Sequence, residues 1–218
     1  MKKLLLFLTF YLPATIVFSQ DSELKKLFSA LQMKQYTADT TAEAVVLEEF
    51  GDSRISSIDN LPLIHKYKTR IKIFTSKGFR HGDVVIPIYK RDNNSYETVA
   101  EIKAITYNLD ENGSLEKTEL APKKIYRENK NKYWDLVKFA MPNLREGCVI
   151  EYSYELTSPY KFNFRTWTFQ SDIPKIASEY VAHIPAIYNY NVSLKGFLQL
   201  KEAPLAELEK ECLYAGGG

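Results

Sequence analysis

The sequence predicts an all-β fold: an antiparallel two-sheet β-sandwich with a short N-terminal amphipathic helix after a signal peptide. Three observations support this prediction. Most of the chain alternates polar and apolar residues with a period of two, turn residues separate the alternating segments, and no helix-period segment interrupts the series after Tyr36. Such alternation favours antiparallel sheets, whereas parallel βαβ units need helices between the strands. A chain of this length can bury one such core without disulfide staples.

The first twenty residues have the three-part layout of a secretory signal peptide. Lys2 and Lys3 precede an apolar run over residues 4–18, and the small residue Ser19 follows. The alternative is a membrane anchor, but the run is shorter than the roughly 20 apolar residues that a spanning helix needs. We therefore expect cleavage near Ser19 or Gln20, no later transmembrane segment, and a mature protein that is periplasmic or secreted.

Residues 21–35 are predicted to form the helix, because their apolar side chains follow the spacing of one helix face: Leu24, Leu27, Phe28 and Leu31. Beyond Tyr36 the period of two predicts strands, the first over residues 43–50. In the second, residues 65–75, one face carries His65, Tyr67, Thr69, Ile71 and Ile73. The other face carries a basic stripe: Lys66, Lys68, Arg70 and Lys72. We expect the first face to be buried and the second to be solvated.

Turn residues place the remaining strands. Residues 77–83 and 91–95 are predicted loops, and Asn112-Gly113 between two alternating segments is a strong hairpin signal. The strands predicted from these boundaries are 84–88, 99–109, 114–120, 133–141, 148–156, 165–171, 176–183 and 188–198.

The predicted organisation has four parts: a signal peptide (1–20), the helix and its lead-in (21–42), the β-sandwich domain (43–200) and a C-terminal segment (201–218). Within the last part, residues 203–213 are predicted to form a short helix with Pro204 near its start. The segment closes on three glycines, which are typical of linkers. We therefore expect it to be a linker and the natural protein to continue beyond it.

Charge and motifs argue against several classes of function. The chain has 29 Lys and Arg against 27 Asp and Glu, and two lysines leave with the signal peptide, so the mature chain is neutral. Nucleic-acid binding depends on a basic excess, so we expect no nucleic-acid partner. The sequence contains no phosphate-loop, dinucleotide-binding or zincin motif, and we expect no cofactor.

Several blocks, in order, resemble a known family. They are LQMKQYTADTTAEAVVLEEFGD, KGFRHGDVVIPI, EIKAITYNLDENG, KYWDLVKFAMPNLREGCVIEYSYELTSP and TWTFQSDIPKIASEYVAHIPAIYNYN. Over residues 32–196 the chain is similar to the domain of unknown function found N-terminal to transglutaminase-like domains in exported proteins of gram-negative bacteria. The resemblance implies a β-sandwich module, with a papain-type Cys-His-Asp site in a separate domain that follows. It implies no activity for the module itself, so no catalytic residue is carried over.

Cys148 is the candidate nucleophile inside the predicted domain. It shares one strand parity with apolar and aromatic residues: Ile150, Tyr152, Tyr154 and Leu156. A nucleophilic cysteine needs a lowered pKa, from a nearby cation or a helix N-terminus, and an apolar strand face supplies neither. We predict a buried structural thiol. The sequence leaves open whether Cys148 and Cys212 form a disulfide.

The histidines and carboxylates indicate no site by their spacing. His65, His81 and His183 lack metal-ligand spacing, and no pair of carboxylates is singled out for acid–base chemistry. His65 and His183 lie in strand patterns, whereas His81 lies in a loop and is the histidine with freedom to serve a function. We predict no catalytic, cofactor-binding or metal site.

Two surface features leave alternatives open. The basic stripe is either a solvated sheet face whose lysines discourage edge pairing or a docking face for an acidic partner, and we favour the first. The neighbouring aromatic residues either fill the core or form a sugar-stacking platform, and we favour the core. They are Tyr160, Phe162, Phe164, Trp167 and Phe169.

These observations predict a non-catalytic β-sandwich module of an exported transglutaminase-like multidomain protein. Its role would be positioning or partner recognition, and its partner a downstream transglutaminase-like domain, an envelope protein or a glycan. The alternative is a stand-alone glycan or cell-wall binding module that uses the aromatic residues around Trp167. A cysteine enzyme that acts by itself is the third hypothesis.

Overall fold

The computed structural model describes residues 15–56, 61–92, 94–161, 164–185, 188, 190–196 and 200–201, with side chains from residue 21 onward. This part of the chain is mostly β, with one α-helix, α1 (Thr15–Gln32), and two short 3₁₀ helices, Ser76–Gly82 and Pro122–Lys124. The strands are β1 (Ala44–Ile55), β2 (Leu63–Ile73), β3 (Asp83–Tyr89), β4 (Thr98–Leu109), β5 (Leu115–Glu119), β6 (Tyr126–Asn131), β7 (Trp134–Ala140), β8 (Val149–Ser158) and β9 (Ser178–His183). The predicted all-β class is confirmed.

The strands form two sheets. A six-stranded sheet has the order β5-β4-β8-β2-β1-β9, and a three-stranded sheet has the order β3-β7-β6. All pairs are antiparallel except β1 with β9, which is parallel, so the prediction of a wholly antiparallel fold is wrong at this edge. In chain order β9 follows β8, which lies three places away in the sheet, so residues 159–177 cross β2 and β1 to reach this edge. The strand predicted at 165–171 falls within this connection and is absent.

A β-bulge in β1 decides which side chains face inward. Val46 pairs with Ile71, but Glu48 pairs with Arg70, so Leu47 is the extra residue. An extra residue reverses the alternation of side chains along a strand. Glu49, Gly51 and Ser53 therefore share the inner face of the six-stranded sheet with Thr69, Tyr67 and His65, their respective partners on β2.

Residues from both sheets form one hydrophobic cluster. The six-stranded sheet contributes Ile71, Ile73, Ile150 and Leu156, and the three-stranded sheet contributes Val84, Ile86, Ile88, Val137 and Phe139. The Phe139 and Tyr152 rings meet edge to face at 6.0 Å, so the two sheets are in direct contact.

Helix α1 covers part of the outer face of the six-stranded sheet. Leu27, Ala30 and Leu31 are buried against Val149 of β8. The helix begins earlier than predicted, at Thr15, and ends at Gln32. Because α1 covers this end of β2, Arg70 is only 9% exposed and Lys72 is 0% exposed, and the prediction of a solvated basic face is wrong for these two residues.

The other predicted elements are confirmed only in part. The hairpin at Asn112-Gly113 is confirmed, with Gly113 at a φ of 76°. The predicted loop at 77–83 is largely a 3₁₀ helix, and the polar strand β6 was not predicted. Between 188 and 198, the residues that the structure describes form no strand, and the helix predicted at 203–213 lies outside the described residues.

The chain divides into two compact units, residues 1–185 and 186–218. All the elements above belong to the first. In the second, the rings of Tyr188 and Tyr190 lie 6.3 Å apart. No helix in the described part of the chain has the length and apolarity to cross a membrane.

Candidate functional site

Cys148 lies immediately before β8 and belongs to the core. Its thiol is 0% exposed, as the strand pattern predicts, and it is free in the described structure. Burial raises the pKa of the thiol, and a backbone hydrogen bond and the Lys72 ammonium oppose that rise to a smaller extent. A buried thiol with a raised pKa is a poor nucleophile. Cys212 lies outside the described residues, so its state stays a prediction.

Ser53 and His65 form a serine–histidine contact on the inner face. Ser53 Oγ lies 2.7 Å from His65 Nδ1, and the Tyr180 hydroxyl donates to Ser53 Oγ at 2.9 Å. The two residues are 1% and 3% exposed, so a substrate has no access to them. Burial, with a smaller contribution from Arg165, lowers the pKa of His65 to about 4. A neutral, enclosed histidine of this kind organises hydrogen bonds inside the fold rather than catalysing a reaction.

The other two histidines contact carboxylates. His81 Nε2 lies 3.4 Å from Glu43 Oε1, and His183 Nε2 lies 3.2 Å from Asp52 Oδ2. Neither belongs to a group of three or more potential ligands, because no such group of His, Cys, Asp or Glu occurs among the described residues. His81 is nevertheless the histidine that borders a cavity.

That cavity has a volume of about 370 Å³ and lies against the inner face of the six-stranded sheet. Its walls come from β1, β2, β8, the start of β3, the 3₁₀ helix Ser76–Gly82 and the connection that precedes β9. Its volume is near the lower end of the range for ligand sites, about 300–1,000 Å³. The lining combines apolar side chains such as Ile71 and Ile173 with charged ones, so the cavity is a candidate site for a ligand that carries both kinds of group.

A buried ion pair lies at the inner end of the cavity. Lys175 Nζ donates to Glu49 Oε2 at 2.6 Å, and the two side chains are only 9% and 11% exposed. The Tyr67 hydroxyl donates to Glu49 Oε1 at 2.7 Å, and Ser178 Oγ donates to Glu49 Oε2 at 3.0 Å. Burial, followed by the neighbouring Tyr152 and Glu49, raises the pKa of Tyr67. These bonds satisfy the carboxylate, which makes the network rigid and leaves Glu49 without a role as a free base.

A second set of charges lies at the mouth of the cavity. Arg80 Nη1 lies 2.6 Å from Glu43 Oε1, and Arg80 Nη2 lies 2.7 Å from Asp172 Oδ2. Arg80 and Asp172 are 53% and 63% exposed, so their bond is screened by solvent and easily exchanged. The cavity can therefore admit a polar group at its mouth. Asp83, an exposed carboxylate of the lining, forms no ion pair with the described residues.

The aromatic residues do not form one exposed platform. Trp167 stacks on Tyr180 at 5.2 Å with an interplanar angle of 17°, and its Nε1 donates to Ser178 at 3.0 Å. A Cβ placed on Gly51 would lie 2.4 Å from the Trp167 ring, so the ring rests directly on β1. Tyr160 packs elsewhere, against Tyr89 at 5.1 Å, and Phe162 lies outside the described residues.

The basic stripe is divided by α1. Lys66 and Lys68 are 47% and 45% exposed and lie 3.5 Å or more from their carboxylate partners, as expected of a solvated face. Arg70 instead forms a close pair with Glu151, at 2.6 Å, beside the helix.

Little in the sequence pointed to the Glu49–Lys175 pair. The bulge in β1 turns Glu49 inward where strict alternation places it outside, and Lys175 lies outside every strand that the sequence predicts. Tyr67 and Tyr152 could be found, because both lie on the predicted apolar parity of their strands.

Comparison with known proteins identifies the family. A family model described as a domain of unknown function with solved structure, DUF3857, matches residues 63–211, which is more than half of the chain. The chain belongs to this family. The match to DUF3857 begins at the first residue of β2 and includes Cys148, whereas α1 and β1 precede it.

One solved structure similar to this DUF3857 chain comes from Parabacteroides distasonis and is described as a "putative protease". The identity is 12% and the TM-score 0.43, and the alignment covers 53% of this chain and 23% of that one. The chain thus spans about a quarter of the length of that protein. No curated protein matches the chain.

Proposed function

We propose that this chain is a non-catalytic β-sandwich module of an exported transglutaminase-like multidomain protein, with a role in positioning or in partner recognition. The burial of Cys148 is the observation that carries the proposal, because the thiol is 0% exposed and its pKa is raised. The serine–histidine contact is equally enclosed. A module without an accessible nucleophile contributes to function through its surfaces.

The sandwich arrangement is part of this proposal. It is supported by the shared cluster of the two sheets and by the ring contact between Phe139 and Tyr152. Export is supported by the layout of residues 1–20, which precede the side chains that the structure describes. We infer periplasmic or secreted localisation from that layout.

Reading the gene beyond Gly218 tests the multidomain part of the proposal. An in-frame transglutaminase-like domain is the expected result, and a stop codon directly after Gly218 would contradict it. Binding of the purified chain to that domain, followed by calorimetry, would test partner recognition. The enzymatic alternative is tested with acyl-transfer and peptide-hydrolysis assays of the wild type and the Cys148→Ser variant. Activity that the substitution abolishes would overturn the non-catalytic assignment.

The glycan alternative has less support. One face of the Trp167 ring is stacked on Tyr180, and the ring also rests on Gly51, so little of it is available for a sugar. Titration of tryptophan fluorescence with cell-wall sugars should accordingly give no saturable change. Saturable quenching that Trp167→Leu removes would favour the glycan module instead.

A further inference from the structure

Lys72 is a fully buried lysine whose ammonium group is hydrogen-bonded to backbone carbonyls. It is 0% exposed, and its Nζ donates to the Leu31 carbonyl at 2.8 Å and to the Gly147 carbonyl at 2.5 Å. Among the described residues it forms no ion pair with a carboxylate. Burial lowers its pKa to about 8, Cys148 opposes that fall, and Lys34 adds to it. Removing an ammonium group from water costs free energy, so a lysine buried in this way calls for a structural or functional reason.

The Leu31 carbonyl is one of the last four carbonyls of α1, which no intrahelical amide can reach. The Met33 amide donates to two of the others, Ser29 at 3.1 Å and Ala30 at 3.3 Å. Lys72 therefore binds a third carbonyl of the helix C-terminus from outside. A cation at this end of a helix also interacts favourably with the helix dipole.

The surface beneath the helix is apolar. We call it the α1 seat; it consists of Leu47, Tyr107, Leu109, Leu115 and Val149. Helix α1 buries against it the side chains at i, i+3 and i+4, namely Leu27, Ala30 and Leu31. Near the middle of the helix, Arg70 Nη1 lies 3.4 Å from Glu23. The seat contacts the apolar stripe of the helix, while Arg70 and Lys72 beside it contact an acidic side chain and one carbonyl of the helix end.

Few interactions attach α1 to the rest of the fold. Only three of its described side chains are buried, and the mostly exposed segment 33–43 joins it to β1. The α1 residues that make these contacts lie between Glu23 and Leu31, after the predicted signal cleavage near Ser19 or Gln20. Cleavage there would therefore leave the contacts intact. A helix that is held by a small apolar contact, one ion pair and one lysine–carbonyl hydrogen bond is a segment of low local stability.

We propose that the α1 seat is a helix-binding groove, that Lys72 recognises the C-terminus of the bound helix, and that α1 is its exchangeable occupant. The occupant that fits has the pattern of α1: apolar residues at i, i+3 and i+4, an acid one turn before them, and a free C-terminal turn. Helix α1 of a second copy of this chain carries this pattern and can compete for the groove. Such a groove needs no downstream domain and is independent of the proposed function.

Binding in trans tests the proposal. The Leu27→Ala/Leu31→Ala double variant of the full chain weakens the hold of its own helix, and a fluorescein-labelled, C-terminally amidated peptide of residues 21–33 then serves as the probe. Fluorescence anisotropy should show saturable binding to the double variant and much weaker binding to the wild type. Adding Lys72→Met to the double variant should weaken binding about tenfold or more.

Lys68→Met in the same background is the matched control, because Lys68 lies on the same face of β2 but is 45% exposed. It should leave the affinity unchanged. A peptide with alanine at both leucine positions should not bind. Absence of saturable binding to the folded double variant, or an affinity that Lys72→Met leaves unchanged, would overturn the proposal.

Hydrogen exchange of the wild type tests the exchangeable helix without any variant. The amides of residues 27–33 should exchange at least tenfold faster than those of β2 and β8, because α1 opens without unfolding of the sheet. Equal protection of the helix and the sheet would mean that α1 opens only on global unfolding and would also overturn the proposal.

Discussion

Lowering the pH from 7.5 to 4 is expected to destabilise this fold through His65. The side chain is 3% exposed, and its pKa is about 4 in the folded protein, against 6.5 for an ordinary histidine. The unfolded chain therefore binds a proton more readily than the folded chain between these two values. Stability that is present above pH 6.5 is lost as the pH falls toward 4. The expected loss is about 3 kcal/mol in the free energy of unfolding.

Urea unfolding at both pH values, followed by tryptophan fluorescence, measures this loss. The His65→Gln variant supplies the comparison, because glutamine can bond to Ser53 but does not titrate in this range. The carboxylates contribute to the pH dependence of both chains, so the difference between the two losses isolates His65. His183→Gln is the matched control, since the His183 side chain is 50% exposed.

We expect the wild type to lose about 3 kcal/mol more than His65→Gln between pH 7.5 and 4, and His183→Gln to behave as the wild type does. An equal loss in wild type and His65→Gln would contradict this account. That result would mean that His65 accepts a proton inside the folded protein at its ordinary pKa, so that burial does not control its titration.

Three further predictions concern single side chains. Glu49→Gln should lower the free energy of unfolding by about 3 kcal/mol or more, as measured in urea, because Lys175 stays buried without its carboxylate. Gly51→Ala should cost about 1–3 kcal/mol in the same assay, because the new Cβ would lie 2.4 Å from a tryptophan ring. In a Cys212→Ser chain, Cys148 should react with a thiol reagent only after unfolding, as timed by absorbance.

Each of these predictions has a control or a contrary result. Glu128→Gln removes an exposed ion pair, with Glu128 57% exposed, and should change stability by no more than about 0.5 kcal/mol. If Glu49→Gln lowers the free energy of unfolding by no more than this control does, the Glu49–Lys175 pair is not isolated from solvent. A Gly51→Ala chain as stable as the wild type would argue against the close approach of Trp167. Fast labelling of native Cys148 would place the thiol within reach of solvent.

Much of the fold could be predicted from the sequence because a two-residue period reports strands directly. Asn112-Gly113 predicted the position of the hairpin, and the place of Cys148 on the apolar parity of its strand predicted that the thiol is buried. The period fails where the backbone departs from regular pairing. The bulge at Leu47 reverses the faces of β1, and the connection before β9 contains alternating residues that pair with no neighbouring strand.

The candidate site was less accessible to sequence reasoning, because its parts come from distant segments. Glu49 and Lys175 meet only because β9 returns beside β1, a parallel pairing that local periodicity does not encode. The burial of Lys72 is similar, since a lysine in an alternating strand predicts a solvated face until a helix is placed over it. Tertiary context, rather than local pattern, decided both.

The ammonium of Lys72 makes two separate segments of the chain energetically interdependent. Its two acceptors are the final turn of α1 and the tight turn before β8, where Gly147 adopts a φ of 84°. Substitution of that glycine would strain the turn and move its carbonyl, and the ammonium would lose one of its two acceptors. Mutations in the turn would then loosen the N-terminal helix at a distance, so sequence changes at the two places should be found together among relatives.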